Sequence, residues 1–126
     1  MKKHHIDFYS SIIVNGVESG YLMWGRIHPY IHGYNRDTKE QGEAWFIVDL
    51  DDPEYAVIPV TKNRGKVDLP LVRKALNKII NGDIKINPNL RDLCKEAKAE
   101  WDGGMLDAIA CDVIIQVAVF GEIVYG

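Results

Sequence analysis

Apolar and polar positions alternate from the first residues of the chain. In HIDFYSSIIV, residues 5–14, Ile6, Phe8, Ile12 and Val14 fall on one side at a period of two. Asp7, Tyr9 and Ser11 fall on the other, the pattern of a half-buried strand. Asn15-Gly16 then supplies a turn that tolerates positive φ, which predicts a hairpin with VESGYLMWGRIH as its return strand. Residues 29–42 follow as a long connection, polar from Arg36 to Glu43. Alternation resumes in EAWFIVDLD, with Phe46, Val48 and Leu50 on one face and Trp45, Ile47 and Asp49 on the other. AVIPVTK, after a turn at Pro53, reads as a fourth strand, placed at an edge or bulged because Pro59 has no N–H to give a ladder. KNRGK reads as a turn.

Beyond residue 68 the period changes. Asp68 is placed to cap a helix with Pro70 in its first turn, and Val72, Ala75, Leu76, Ile79 and Ile80 form its apolar stripe up to a stop at Gly82. A second helix starts after Asn87-Pro88, with Leu90, Leu93, Cys94, Ala97 and Trp101 inward, and Gly103-Gly104 breaks it. A third begins near Met105. The predicted class is therefore α+β: an antiparallel sheet of about four strands over residues 5–62, packed against three C-terminal helices at about 69–81, 88–101 and 105–122. Residues 1–126 read as one domain.

The last helix is apolar on more than one side. Leu106, Ile109, Ala110, Val113, Ile114, Val117, Phe120 and Val124 make a broad stripe, while Ala108, Cys111, Ile115 and Val119 lie elsewhere. Such a helix is either central to its own chain or shared with a second copy, which makes a homo-oligomer contact an expectation. A membrane span is not expected, because Asp107, Asp112, Gln116 and Glu122 interrupt the apolar region.

Composition adds little to this frame. Hydrophobic residues make up 47% and charged residues 26%, as in ordinary globular chains, and the net charge is −3. The charge is uneven: residues 1–62 carry six Lys/Arg and nine Asp/Glu, residues 63–102 nine and six, residues 103–126 none and three. MKKHHIDFYSS lacks the apolar run of a signal peptide, and Cys94 and Cys111 lack paired spacing. A cytoplasmic protein with two reduced, buried thiols is expected.

Candidate chemistry concentrates around residues 26–54. His28 and His32 stand four apart, but Pro29 keeps His28 out of a helix and no further ligands are in place, so no metal and no cofactor are expected. Asp49, Asp51, Asp52 and Glu54 form an acidic knot whose spacing is not that of an EF-hand. Lys62, Arg64, Lys66, Arg73, Lys74 and Lys78 form a basic stretch over 62–78 without interleaved aromatics, a weak signal for nucleic acid. No nucleophile elbow, phosphate loop or dinucleotide fingerprint is present, and no catalytic residue is assigned.

These features favour a small non-catalytic protein-binding module, by analogy of size and charge a stoichiometric inhibitor or immunity-type protein, whose partner is another protein. It would act through the outer sheet face and the 29–42 loop, using Tyr9, Tyr30, Tyr34, Arg36, Trp45, Asp49 and Asp51. The first alternative is a small-molecule or nucleotide-binding protein, or a hydrolase, with Arg26, His28, His32 and Arg36 holding an anion in a pocket under that loop. The second is nucleic-acid binding through the basic 62–78 segment.

Overall fold

The computed structural model describes the backbone of residues 1–38 and 40–125, and the side chains of these apart from Tyr34, Asn35, Glu40 and Gln41. It is an α+β fold. Helix α1 spans Lys3–Glu18; strands β1, Gly25–Asn35, and β2, Glu40–Leu50, form a long antiparallel hairpin. Strand β3, Arg64–Val67, pairs antiparallel with Phe46–Asp49, so the order is β1-β2-β3. Helices α2, Leu69–Ile80, α3, Pro88–Glu100, and α4, Ala108–Phe120, follow.

The opening segment is a helix, not the expected strand and hairpin. Its buried residues are Phe8, Tyr9, Ile12, Ile13 and Gly16, together with the small Ser10. Spacings of one, four, five and eight mark one face of a helix. Ile6, Phe8, Ile12 and Val14 satisfy the period of two as well, so the segment carries both patterns and packing selects the helical one. Asn15-Gly16 makes no turn. The Asn15 side chain donates to the Leu106 carbonyl at 3.0 Å, and Gly16 lets α4 approach: a Cβ there would stand 2.5 Å from Ile115 Cδ1.

Two further expectations are corrected. The 29–42 connection is largely strand, and AVIPVTK is not a strand. Val57 instead donates its N–H to the Val119 carbonyl at the end of α4, at 2.8 Å. The third strand comes from the expected KNRGK turn. Lys62 and Asn63 take φ of 52° and 67°, and Thr61 and Arg64 exchange backbone hydrogen bonds at 3.0 Å across them. Positive φ at both central residues is the geometry of a tight two-residue hairpin.

The second half follows its pattern closely. Asp68 caps α2 by accepting from the Leu71 N–H at 3.2 Å, and Val72, Ala75, Leu76 and Ile79 are buried. Asn87 caps α3, with Pro88 as its first residue. The last helix starts later than expected, at Ala108, because Asp107 caps it by accepting from Ala110 at 2.7 Å.

One face of the sheet carries the core. Along β2, Ala44, Phe46, Val48 and Leu50 are buried, and Val67 of β3 joins them. Helix α1 packs across β2, and α4 packs against α1, α2 and β3. Nearly all of α4 from Ala110 to Phe120 is buried by its own chain, Cys111, Ile115 and Val119 included. The apolarity that raised the expectation of a second copy is thus accounted for by central burial. No helix among the described residues is long and apolar enough to cross a membrane.

Candidate functional site

Packing one face of the sheet leaves the other open. Directly paired residues share a face, so the register places Arg26 beside Asp49, Ile31 beside Trp45, and Ile47 beside Lys66 on the side away from the helices. The apolar part of this face is Ile31, Trp45 and Ile47. Ile31 is 46% exposed although it is a large aliphatic side chain. Charges rim it. The Lys66 ammonium stands 4.9 Å from the centre of the Trp45 ring, and Arg64 Nε is 3.5 Å from Asp49 Oδ1. With Arg26, Asp49 and Arg64 paired in sequence across the strands, positive, negative and positive groups run over the sheet. Arg64 and Asp49 are well solvated, so their pair contributes little to stability and leaves both groups open to other partners.

The same two strands run on as an arm. Among the described residues, β3 reaches only Phe46–Asp49, so the stretch of β2 from Glu40 to Trp45 has β1 on one side and an open edge on the other. Ile31, His32, Gly33 and residues 36–38 are exposed there. A close approach of the two backbones shapes the arm: a Cβ on Gly42 would meet the Gly33 carbonyl oxygen at 2.3 Å. Register shifts fall between Ile27 and Tyr30, where the His28–Pro29 peptide is cis, and between His32 and Tyr34.

The expected binding residues scatter. Trp45 and Asp49 lie on the outer face as anticipated. Tyr9 does not: it is 1% exposed, in α1, with its ring edge-on to Phe8 at 5.2 Å, because the helix turns this position into the core. Burial pushes its phenol up. Tyr30 pairs with Phe46 and so faces the helical side, where its hydroxyl reaches Glu18 at 3.5 Å and its ring stacks on His32. Burial first, then Glu18, pushes its phenol up to about 12. Arg36 sits exposed in the turn of the arm, and Asp51 lies exposed past the opposite end of β2. The Tyr34 side chain lies outside the described residues.

The alternative sets are not assembled either. Arg26 lies on the outer face, whereas His32 pairs with Ala44 on the helical side, so these two do not converge. The cavities described are lined by neither of them, nor by His28 or Arg36. The basic 62–78 stretch is divided: Arg64 and Lys66 point outward from β3, while Arg73, Lys74 and Lys78 line a hollow on α2 with Met1 and Pro70. Among the described residues, no three His, Cys, Asp or Glu side chains gather as a metal site. Burial pushes the Cys94 thiol up to about 11 and the Cys111 thiol up to about 12, which suppresses the nucleophilic thiolate.

An open groove of about 590 Å³ lies at the base of the hairpin, and sequence reasoning missed it. It runs between the link from α1 to β1, the outward side of α4 and the C-terminal segment. Tyr21, Met23, Ile109 and Tyr125 line it around Asp112. Ile109, part of the broad apolar stripe of α4, is 58% exposed. The one sequence signal was the spacing of Ile109, Asp112, Val113 and Gln116 along a single helical side, mixed in polarity where the rest of α4 is apolar. No family model matches the chain, and neither does any characterised protein or solved structure.

Proposed function

We propose that the chain is a non-catalytic protein-binding module whose contact surface is the outer sheet face continued along the β1–β2 arm. The carrying observation is an outer-face stripe of exposed Ile31 beside half-buried Trp45 and Ile47, on a sheet whose helices pack on the other side. An apolar centre with a charged rim of Arg26, Asp49, Arg64 and Lys66 has the anatomy of a protein interface. The arm adds a second reason. A two-stranded ribbon alone is marginally stable in water, and its open edge presents N–H and C=O groups to which a partner's strand can add. Stoichiometric capture, as by an inhibitor or immunity-type protein, needs only such a surface.

Photo-crosslinking in the source cell tests this. p-Benzoylphenylalanine is placed at position 45, and at Lys85 as an exposed control. The expected result is one prominent protein adduct from position 45, absent from position 85 and lost when Ile31→Glu is added. Adducts of the same pattern from both positions, or an adduct indifferent to Ile31→Glu, overturn the proposal.

A further inference from the structure

We infer that the groove between Met23, Ile109 and Tyr125 is a binding site for a small amphiphilic amine, with Asp112 receiving the ammonium group. It is independent of the outer sheet face, lying where β1 begins and β2 ends, at the opposite end of the hairpin from the arm's turn.

The groove is built for an apolar body. Met23 is 83% exposed, Tyr21 53% and Ile109 58%, and these three are among the most exposed large apolar side chains described. They converge on one groove rather than scattering, which is how an unfilled ligand site differs from ordinary surface. Its volume, about 590 Å³, matches small-molecule pockets.

The polar group at its base is of one sign. Asp112 Oδ1 accepts from the Trp24 indole N–H and Oδ2 from the Gln116 amide, each at 2.9 Å. Both donors are neutral, so they orient the carboxylate without cancelling its charge. Each oxygen keeps acceptor capacity for a further donor. Among the described residues no Lys, Arg or His lines the groove, and residues 103–126 contain none in their sequence. At the groove's end the Tyr125 hydroxyl donates to Asp52, which lies behind the lining and keeps that hydroxyl turned away from a ligand anion. Tyr21 and Tyr125 supply aromatic surface, which attracts an organic cation further. An anion meets like charge here, and a neutral apolar molecule leaves the charge of the half-buried carboxylate uncompensated by any cation. A protonated amine on a hydrocarbon or aryl body satisfies every part of the site.

The test is a matched series on the intact chain by titration calorimetry: 4-phenylbutylamine, 4-phenylbutanol and 4-phenylbutanoate. One charge-assisted hydrogen bond predicts that the amine binds about tenfold tighter than the alcohol, and the acid should bind weakest. Asp112→Asn should remove the amine's advantage and leave the alcohol's affinity unchanged. Ile109→Arg, at an exposed position, should abolish binding of all three. Equal affinity across the series, or amine binding that survives Ile109→Arg, overturns the inference. If Asp112→Asn fails to fold, the wild-type series and Ile109→Arg decide it. An alternating Leu–Lys peptide that binds where 4-phenylbutylamine does not also overturns it, in favour of a protein occupant.

Discussion

Gln116 replaces a strand partner for the end of the chain. Its side-chain oxygen accepts from the N–H groups of Val124 and Tyr125 at 3.1 and 2.9 Å. Its nitrogen donates to the Tyr125 carbonyl at 3.1 Å and to Asp112 at 2.9 Å. One buried amide thus satisfies backbone groups of an irregular segment and steadies a groove wall. Gln116→Leu keeps much of the volume and loses all four bonds, which should cost about 2–3 kcal/mol. Urea unfolding measures that cost, and hydrogen exchange should show the amides of Val124 and Tyr125 opening well before the core. Unchanged protection would refute the clamp. Asp68 was readable as a cap because a cap's partners lie three residues away. Gln116 was not, since its partners lie eight and nine residues on and reach it only when the chain turns back at Gly121, which takes φ of 75°.

Among the elements, α1 and the β1–β2 arm show where periodicity misleads. With Ile6, Phe8, Tyr9, Ile12, Ile13 and Val14 in one short stretch, apolar residues are dense enough to satisfy both periods. What separates them is Gly16, whose missing side chain admits Ile115 from a helix almost a hundred residues further along. α2 was legible because Arg73, Lys74 and Lys78 leave one clear apolar stripe; β2 was legible as a short, mostly apolar run of β-formers, Trp45 to Leu50, in which Asp49 marks the outer side and Phe46, Val48 and Leu50 the other. The arm hid behind Pro29, Gly33, Asn35 and Gly42, residues that signal turns but here sit in strands with shifted register. Gly42→Ala tests that arrangement. Its Cβ meets backbone rather than a yielding side chain, so the strands must part. Faster amide exchange is expected at residues 31–33 and 42–43, with little change in the urea midpoint, since the tip of the arm lies beyond Ala44, where the core face of β2 ends. A large fall in global stability would show that the arm and body unfold together.

For the whole molecule, the buried thiols and phenols set an alkaline limit. Cys94, Cys111, Tyr9, Tyr30 and Tyr125 all hold their protons more tightly than usual: by burial in the first four, and in Tyr125 chiefly through its bond to Asp52. Thiols ordinarily lose the proton at 9.0 and phenols at 10.0. Between those values and the raised ones the unfolded chain releases protons that the native state retains, so stability falls as pH rises. The contribution is complete below about 9 and is lost progressively toward 12. Urea midpoints should therefore drop steadily from pH 9 upward. A midpoint constant from pH 9 to 11 would mean that these groups are not buried as described.

Short-range chemistry was enough to specify the α+β class, the buried side of β2, the cap at Asp68, the start of a helix after Asn87-Pro88, and the stripe of α2. In each case the information lies within a few neighbouring residues. Packing alone settled the rest: the helical state of residues 3–18, the emergence of β3 from an apparent turn, the burial of Tyr9, and the groove around Asp112. Each of these depends on groups brought together from distant parts of the chain, such as Gly16 with Ile115 or Trp24 with Asp112, and no local pattern carries the free energy of a contact that exists only once the fold has closed.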